Sequence, residues 1–468
     1  METFPTPNVN TRLGFHYYPD TLHYRESDLN AWLPELRALG ATWLTLVAPH
    51  DRAIPELFIR GLVAAGIEPV LHFHLPLEKH AQLNDLRLLF HTYARWGVHY
   101  VVLFDRPNLR ISWPATAWVQ SNLVERFLDV YLPLAQAALQ AGLIPVFPPL
   151  EPGGDYWDTA FLRGALQGIQ RRGQNSLLKR FVIGAYAWAS NRSLNWGAGG
   201  PERWPGARPY HTPQGSQDQH GFRIFDWYLA QVRAVAQIPC AILLLGAGCR
   251  PGDQNDPSLP PVDRAAHAKT NLSIAALLSG GKRVPGKSLV DLEGIEEAPP
   301  EILACNFWLL AANRESPAAT HAWFQPDGNS LPVVGALRQW VAKQEGSREP
   351  APGPQVAPLS APHSIPSRAE PARFPHKNGH SIQHYLLLPT YEWGIADWHL
   401  DVIRPFVKKY RPTIGFSLKE AAQAARVTVI GGTQSFPDAV LDQLRAANCT
   451  VEQISGDGTS IASQLATL

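Results

Sequence analysis

Cysteine is scarce in this chain and charge is thinly spread. Four cysteines, Cys240, Cys249, Cys305 and Cys449, are too few and too scattered for a disulfide framework, and none forms the C-x-x-C pair of a zinc or redox site. They read as small buried side chains. Charged residues make up only 17% of the sequence, 41 basic against 40 acidic, for a formal net charge of +1. That balance calls for neither a nucleic-acid nor an anionic-membrane partner. No run of about 18 apolar residues occurs, and the opening Met1-Glu-Thr-Phe-Pro-Thr-Pro has neither a basic leader nor an apolar stretch of signal-peptide length. The expectation is a soluble chain, cytoplasmic by default.

What the chain does have is length and tryptophan. Its 468 residues exceed what one core usually organises, so a large domain of about 250 to 350 residues with a smaller companion is expected. Fifteen tryptophans supply indole faces that fill cores and also stack on sugar rings.

Strand-like apolar runs alternate with helix-like segments through the first 345 residues, and the junctions repeat one grammar. Gly40, Gly66, Gly97 and Gly142 each stand between a helical pattern and an apolar run. Glycine suits the left-handed position just past a helix, so each marks a helix stop. Strands are expected near 13–17, 42–47, 68–73, 99–104, 144–148, 181–187, 239–245 and 303–309. Helices are expected near 28–39, 54–65, 83–96, 119–141, 158–172, 222–236, 261–278 and 332–343. Eight of each is the count of a (β/α)8 TIM barrel, and continuous runs such as Ala241-Ile-Leu-Leu-Leu suit parallel strands buried on both faces. The alternative is a doubly wound open sheet.

Residues 346–375 carry eight prolines and no apolar periodicity, the composition of an extended linker. Beyond it, residues 376–468 alternate strand and helix patterns and read as a small Rossmann-like α/β domain. The Gly431-Gly432 turn lacks G-x-G-x-x-G spacing, so no dinucleotide is expected.

In such a barrel the functional groups stand at the carboxyl ends of the strands. In chain order those ends read His16-Tyr17-Tyr18, Pro49-His50-Asp51-Arg52, His72-Phe-His74, Asp105-Arg106-Pro107-Asn108, Glu151-Pro-Gly-Gly-Asp155, Tyr186-Ala-Trp188, Gly246-Ala-Gly248-Cys249-Arg250 and Asn306-Phe-Trp308. The mixture of flat rings and forked donors is what a carbohydrate cleft needs. Candidate ligand-binding residues are His16, Tyr17, His72, His74, Arg106, Asn108, Tyr186, Trp188 and Trp308.

Three of these motifs carry a resemblance. Phe-Asp-Arg-Pro-Asn-Leu at the fourth strand, Ala-Ile-Leu-Leu-Leu-Gly-Ala-Gly at the seventh and Cys-Asn-Phe-Trp-Leu-Leu at the eighth resemble the retaining glycoside hydrolases of clan A. There the fourth strand ends in Asn-Glu and the seventh in Thr-Glu, the two glutamates serving as acid/base and nucleophile about 5–5.5 Å apart. Residue by residue, the resemblance puts the acid/base position on Arg106 and the nucleophile position on Gly246. Arginine has no proton to give at working pH, and glycine has no side chain. The resemblance therefore implies a barrel that keeps a glycan cleft and lacks both expected catalytic glutamates. The Arg106 guanidinium suits a glycan carboxylate or hydroxyl pair, or equally a salt bridge to Asp105 or another rim acid.

Two other functions compete with glycan binding. Glu151, Asp105 and Asp155 are the carboxylates placed to take over hydrolysis, or else they are loop acids making caps and turns. His72 and His74, two apart on one strand, share a side and have the spacing of the H-x-H in metal-dependent hydrolases. Those enzymes carry the pair on the first strand with further histidines on later ones, and strands five and six here supply none. No metal and no cofactor are assigned.

At the far end, Val427-Thr-Val-Ile-Gly-Gly through Val451-Glu-Gln-Ile-Ser-Gly is similar to bacterial cell-wall-binding repeats of the second type, with Gln453 where those usually carry arginine. Such repeats commonly come in threes, and here there is one. The resemblance implies a contact with the cell wall and placement at the cell surface; the other reading is a small domain with no anchoring role.

Limited proteolysis is expected to cut first between Gly346 and Pro375, because that stretch has the composition of a linker. First cuts inside the barrel would place the boundary elsewhere.

Overall fold

A computed structural model describes residues 4–77, 83–279, 290, 292–346, 380, 382–389, 397–433, 435–456 and 458–467. The proline-rich stretch 346–375 lies, after residue 346, outside these. The chain divides into two compact units, Met1–Gly353 and Pro354–Leu468.

The first unit is a closed barrel of eight parallel strands in sequential order. They are β1 (Leu13–His16), β2 (Trp43–Val47), β3 (Glu68–Phe73), β4 (Tyr100–Leu103), β5 (Ile144–Phe147), β6 (Phe181–Trp188), β7 (Cys240–Gly248) and β8 (Ile302–Phe307). Between and after them run α1 (Glu26–Ala38), α2 (Glu56–Ala64), α3 (Leu83–Arg95), α4 (Leu123–Gln140), α5 (Asp158–Arg171), α6 (Ile224–Val235), α7 (Arg264–Leu278) and α8 (Pro332–Gly346). The (β/α)8 barrel read from the sequence is the fold observed. Gly40, Gly66, Gly97 and Gly142 all hold positive φ, between 66° and 92°, as helix-ending glycines should.

Alternation along each strand sorts the side chains into two cores. Inward residues such as Trp43, Val70, Tyr100, Val102, Val146, Leu243 and Leu245 fill the barrel, while outward ones such as Leu44, Leu71, Val101 and Phe147 pack against the helices. The segment before β1 closes the amino-terminal end: Phe4 packs on the inner core, Tyr100 donates to the Pro5 carbonyl at 2.6 Å, and Trp43 Nε1 donates to Asn10 Oδ1 at 2.8 Å.

One irregularity matters for the site. Ala185 pairs with Leu244 but Tyr186 pairs with Gly246, so β7 carries one extra residue, Leu245, against β6. Such a bulge re-aims the side chains beyond it and bends the strand.

The second unit is a four-stranded parallel sheet in the order β10-β9-β11-β12, with β9 (Ile382–Leu387), β10 (Thr413–Gly415), β11 (Ala424–Ile430) and β12 (Thr450–Ile454). Helices α9 (Asp397–Tyr410), α10 (Asp438–Ala446) and α11 (Gly458–Thr467) cover both faces. Tyr385, Leu387, Val427 and Val429 meet Leu441 and Leu444 on one side; Leu386, Ile430 and Ile454 meet Ile403, Phe406, Ile461 and Leu465 on the other. Gln453 uses Nε2 to donate to the Gly431 carbonyl at 2.9 Å, tying β12 to the glycine turn. The edge strand β10 and helix α11 were not read as elements from the sequence.

The four cysteines are free and buried. Among the described residues, no helix is long and apolar enough to cross a membrane.

Trp43 is fully buried inside the barrel, so Trp43→Ala should lower barrel stability by about 3–5 kcal/mol. A urea midpoint matching the parent protein's would show that the inner layer does not depend on this ring.

Candidate functional site at the barrel mouth

The chain leaves β4 through a strained corner. Phe104 and Arg106, neither of them glycine, hold φ of +74° and +43°, conformations that survive only where surroundings enforce them. The enforcement is visible: Phe104 N donates to Phe73 O at 2.9 Å and Arg106 N to Pro149 O at 3.0 Å, and Ser112 Oγ donates to Arg106 O at 2.8 Å. The corner brings Asp105 and Arg106 to the mouth side by side.

From there a continuous column of charges and rings crosses the mouth. Asp105 Oδ2 accepts from Arg106 Nε at 2.9 Å, and its Oδ1 accepts from the Tyr186 hydroxyl at 2.7 Å. Arg106 also reaches Glu151 Oε2 at 3.4 Å, and its guanidinium carbon lies 5.8 Å from the Tyr186 ring centre. Tyr186 stacks on Trp188, centroids 5.6 Å apart and planes 15° from parallel. Over Trp188, at 4.7 Å, lies the Arg250 guanidinium, whose Nε donates to Asp253 Oδ1 at 2.9 Å. Each cation–π contact of this kind contributes about 0.5–2 kcal/mol.

Burial pushes the Asp105 carboxyl up, yet His72, His74, Arg106 and the Tyr186 hydrogen bond outweigh it and hold it below its usual range. Burial, with Asp105 beside it, pushes the Tyr186 phenol far above its usual value, so it stays a donor.

Gly246 lies beneath this column. A Cβ built there would stand 2.8 Å from Trp188 Cη2, closer than such atoms approach, and 3.0 Å from Tyr186 Cδ1, a tight contact. A side chain at 246 would therefore have to displace the stacked rings, and Tyr186 links Gly246 to Arg106.

Trp308 meets Trp188 edge to face at 6.3 Å and His16 at 4.5 Å. His16 and His72 point into the barrel and are buried. His72 Nε2 donates to the Phe104 carbonyl at 2.9 Å, which leaves Nδ1 bare and without a partner. Burial first, and His74 second, push its imidazole down to about 3. Burial likewise drives His16 well below its usual value, with His72 and His74 adding to the effect. His74 is exposed at the mouth, its ring 4.3 Å from that of His72. Among the described residues, no three histidine, cysteine or carboxylate side chains stand together as a metal cage.

Two expected site residues are placed elsewhere. Tyr17 follows the inward His16, so strand alternation turns it outward; it packs against Tyr24, Trp32 and Phe58, away from the mouth. Asn108 is fully buried and its amide is spent on backbone: Nδ2 donates to Glu151 O at 2.8 Å and Tyr156 O at 3.0 Å, and Oδ1 accepts from Glu151 N at 2.9 Å. It staples two loops and offers nothing to a ligand. Asp155 is exposed and caps the turn at Arg110, accepting from its N–H at 2.8 Å.

Beside the column is a cavity of about 340 Å³ lined by Glu151, Trp188, Ser190, His220, Arg250 and Asp253, among others. Reading strand ends reached Glu151, Trp188 and Arg250 and missed Ser190, His220 and Asp253. The signal available was the long stretch from Ala189 to Arg223 between β6 and α6, rich in Gly and Arg and carrying Trp196, Trp204 and Tyr210.

No family model matches the chain, and no curated protein matches it. Among solved structures the chain is similar to a family 39 glycoside hydrolase from the gut symbiont Bacteroides cellulosilyticus WH2, with 11% identity over 72% of this chain and a TM-score of 0.42. The match spans 65% of that protein, slightly under two thirds of its length. It is also similar to a GH128 (subgroup II) endo-beta-1,3-glucanase from Sorangium cellulosum, with 14% identity over 70% of this chain and 96% of that one and a TM-score of 0.38. A third is xylanase 10B from Thermotoga maritima, with 12% identity over 74% of this chain and all of that one and a TM-score of 0.41.

The buried histidines set a pH window. His72 is about 3 when folded against 6.5 when free, so the unfolded chain binds more protons between those values. Its contribution to stability is full above about pH 6.5 and lost as pH falls toward 3. His72→Gln should flatten the acid side of the stability profile by about one proton, roughly 1.4 kcal/mol per pH unit. Urea midpoints from pH 7 to 4 test this; parallel profiles for the two proteins would contradict it.

Proposed function

We propose that the barrel binds a glycan at its mouth and leaves it intact. The observation that carries this reading is the Tyr186–Trp188 pair lying over Gly246. Cleavage with retention needs two carboxyls about 5–5.5 Å apart, and the proton donor needs a raised pKa. At the position the resemblance gives to the nucleophile stands Gly246, with Tyr186 and Trp188 packed over it. At the position aligned with the acid stands Arg106, paired with Asp105 and Glu151.

The alternative carboxylates fit catalysis poorly. Asp105 accepts two hydrogen bonds and is held below its usual range, the opposite of what a proton donor requires. Asp155 caps a turn. Glu151 lines the cavity and is the one that favours a second reading, a hydrolase with a relocated acid. The metal-dependent alternative lacks a ligand set among the described residues, since His72 spends Nε2 on a backbone carbonyl.

Binding asks for less. The cavity is bordered by an indole, a guanidinium, two carboxylates and a serine hydroxyl, which together donate to and accept from sugar hydroxyls. No metal or cofactor is invoked. The likeness of the second unit to a wall-binding repeat supports a cell-envelope glycan as the polymer, and hence a place at the cell surface.

The test is incubation with a panel of plant, bacterial and host glycans, followed by binding measurement and reducing-end analysis. Binding without new reducing ends is expected, weakened at least about tenfold, some 1.4 kcal/mol, by Trp188→Ala or Arg250→Ala. The paired change Arg106→Glu, Gly246→Glu should restore at most weak cleavage, because a side chain at 246 would have to displace Trp188 and Tyr186. Turnover by the unaltered protein that vanishes in Glu151→Gln would replace the binding reading with the hydrolase.

A further inference from the structure

Outside the cavity, the long loop between β6 and α6 turns back on itself and presents a tyrosine to solvent. Arg208 N donates to His211 O at 2.9 Å and His211 N to Arg208 O at 3.1 Å, so Pro209 and Tyr210 form the tip of a small hairpin. The proline ring fixes φ near about −65°, and Tyr210 holds φ of +62°. That is the sign pattern of a type II turn, whose second central position favours glycine or asparagine because most side chains are strained there. A tyrosine at this tip costs conformational free energy that a glycine would not.

The strain is not offset by burial. Tyr210 is 69% exposed, more than any other aromatic side chain among the described residues. Its hydroxyl donates to the Asp155 carbonyl at 3.3 Å, long for a bond of this type, and its ring meets Trp157 edge to face at 5.2 Å. These contacts hold the ring in place without covering it.

The same contacts tie the tip to the cavity. Asp155 stands two residues past Gly153, in the loop whose Glu151, Pro152 and Gly153 line the cavity. Trp157 in turn meets the ring of His220, another lining residue, at 5.8 Å. The cavity is open to solvent and, at about 340 Å³, lies at the low end of the roughly 300–1,000 Å³ typical of small-molecule sites. A glycan longer than that volume must run out over the loops that border it.

We infer that Tyr210 is an outlying stacking platform, a second sugar-binding position beside the cavity that only longer glycans reach. The inference rests on the binding reading above and narrows it to a ligand class: an oligosaccharide chain of several units, not a single sugar or a disaccharide. An exposed phenol ring offers a sugar a flat apolar face. Because the turn and Trp157 fix that ring before a ligand arrives, little ordering cost remains to be met on binding.

Length dependence tests this. The disaccharide and hexasaccharide of the linear xylo-, cello-, laminari- and chito-oligosaccharide series are titrated calorimetrically into the full chain. The parent protein should bind the hexasaccharide of at least one series more tightly than its disaccharide. Tyr210→Asn should weaken hexasaccharide binding about fivefold, near 1 kcal/mol, and leave the disaccharide unaffected. Asparagine tolerates the left-handed position, so the urea midpoint of this variant should equal or exceed the parent's, and Tyr210→Gly provides a second ring-free version of the same turn. Tyr210→Phe, which keeps the ring and drops the hydroxyl tie, should keep the gain with length. Equal affinity of the parent for the two lengths overturns the inference, as does hexasaccharide binding untouched in both ring-free variants. A loss shared equally by the two lengths, or one as large in Tyr210→Phe, also overturns it by making Tyr210 a support of the cavity loop. Each of these results leaves glycan binding in place; failure of every probe to bind the parent removes the binding reading and this inference with it.

Discussion

The mouth of this barrel is organised by one stacked column, Arg106 on Tyr186 on Trp188 under Arg250, with carboxylates at both ends. Each member is fixed by its neighbours. Asp105 holds Arg106 and Tyr186 at once, and Asp253 holds Arg250 at the other end. The two cations lie against ring faces, where the quadrupole attracts them, and each has at least one carboxylate beside it. Removing one ring would leave a guanidinium without its aromatic face and expose the glycine beneath. The column is therefore a unit, and the chemistry open to the mouth is what remains around it.

The column exists because two local irregularities agree. In a regular barrel, side chains two apart on one strand share a side, and neighbouring strands keep a constant offset. The extra residue on β7 shifts that offset by one and sets Gly246 against Tyr186, so the strand brings no side chain to the place where the rings stack. At β4 the left-handed corner at Phe104 and Arg106 lays the Arg106 guanidinium against the Tyr186 ring. Were β7 in register with β6, a residue with a side chain would face Tyr186, and the rings would have to separate. The same packing that completes the barrel therefore sets a glycine beneath the stacked rings.

This explains what could and could not be read from the residues. Eight strands and their helices were legible because apolar runs and helix-ending glycines are local signals. The inward set at His16, His72, Tyr186 and Trp188 followed from strand ends and alternation. Tyr17 was misassigned because a rim motif was read as a cluster, whereas the strand sends adjacent residues to opposite sides. Asn108 looked like a ligand donor because its use on two backbone carbonyls depends on a loop forty residues away in sequence. The loop side of the cavity was missed. Ser190, His220 and Asp253 belong to no periodic pattern, and only the folded loops bring them together. Strand β10 escaped for a different reason: Thr413–Gly415 is too short to show any period.

Strands and loops thus do separate work in the mouth. The strand ends hold the column of rings and charges. The loops after β5, β6 and β7 border the cavity beside it. They meet at only a few side chains, chiefly Trp188, Arg250 and Glu151, which border the cavity and belong to or touch the column. The two layers share these side chains, so a change at any of the three touches both strand ends and loops. A barrel whose core is settled by strand packing can in this way change its ligand without disturbing its fold.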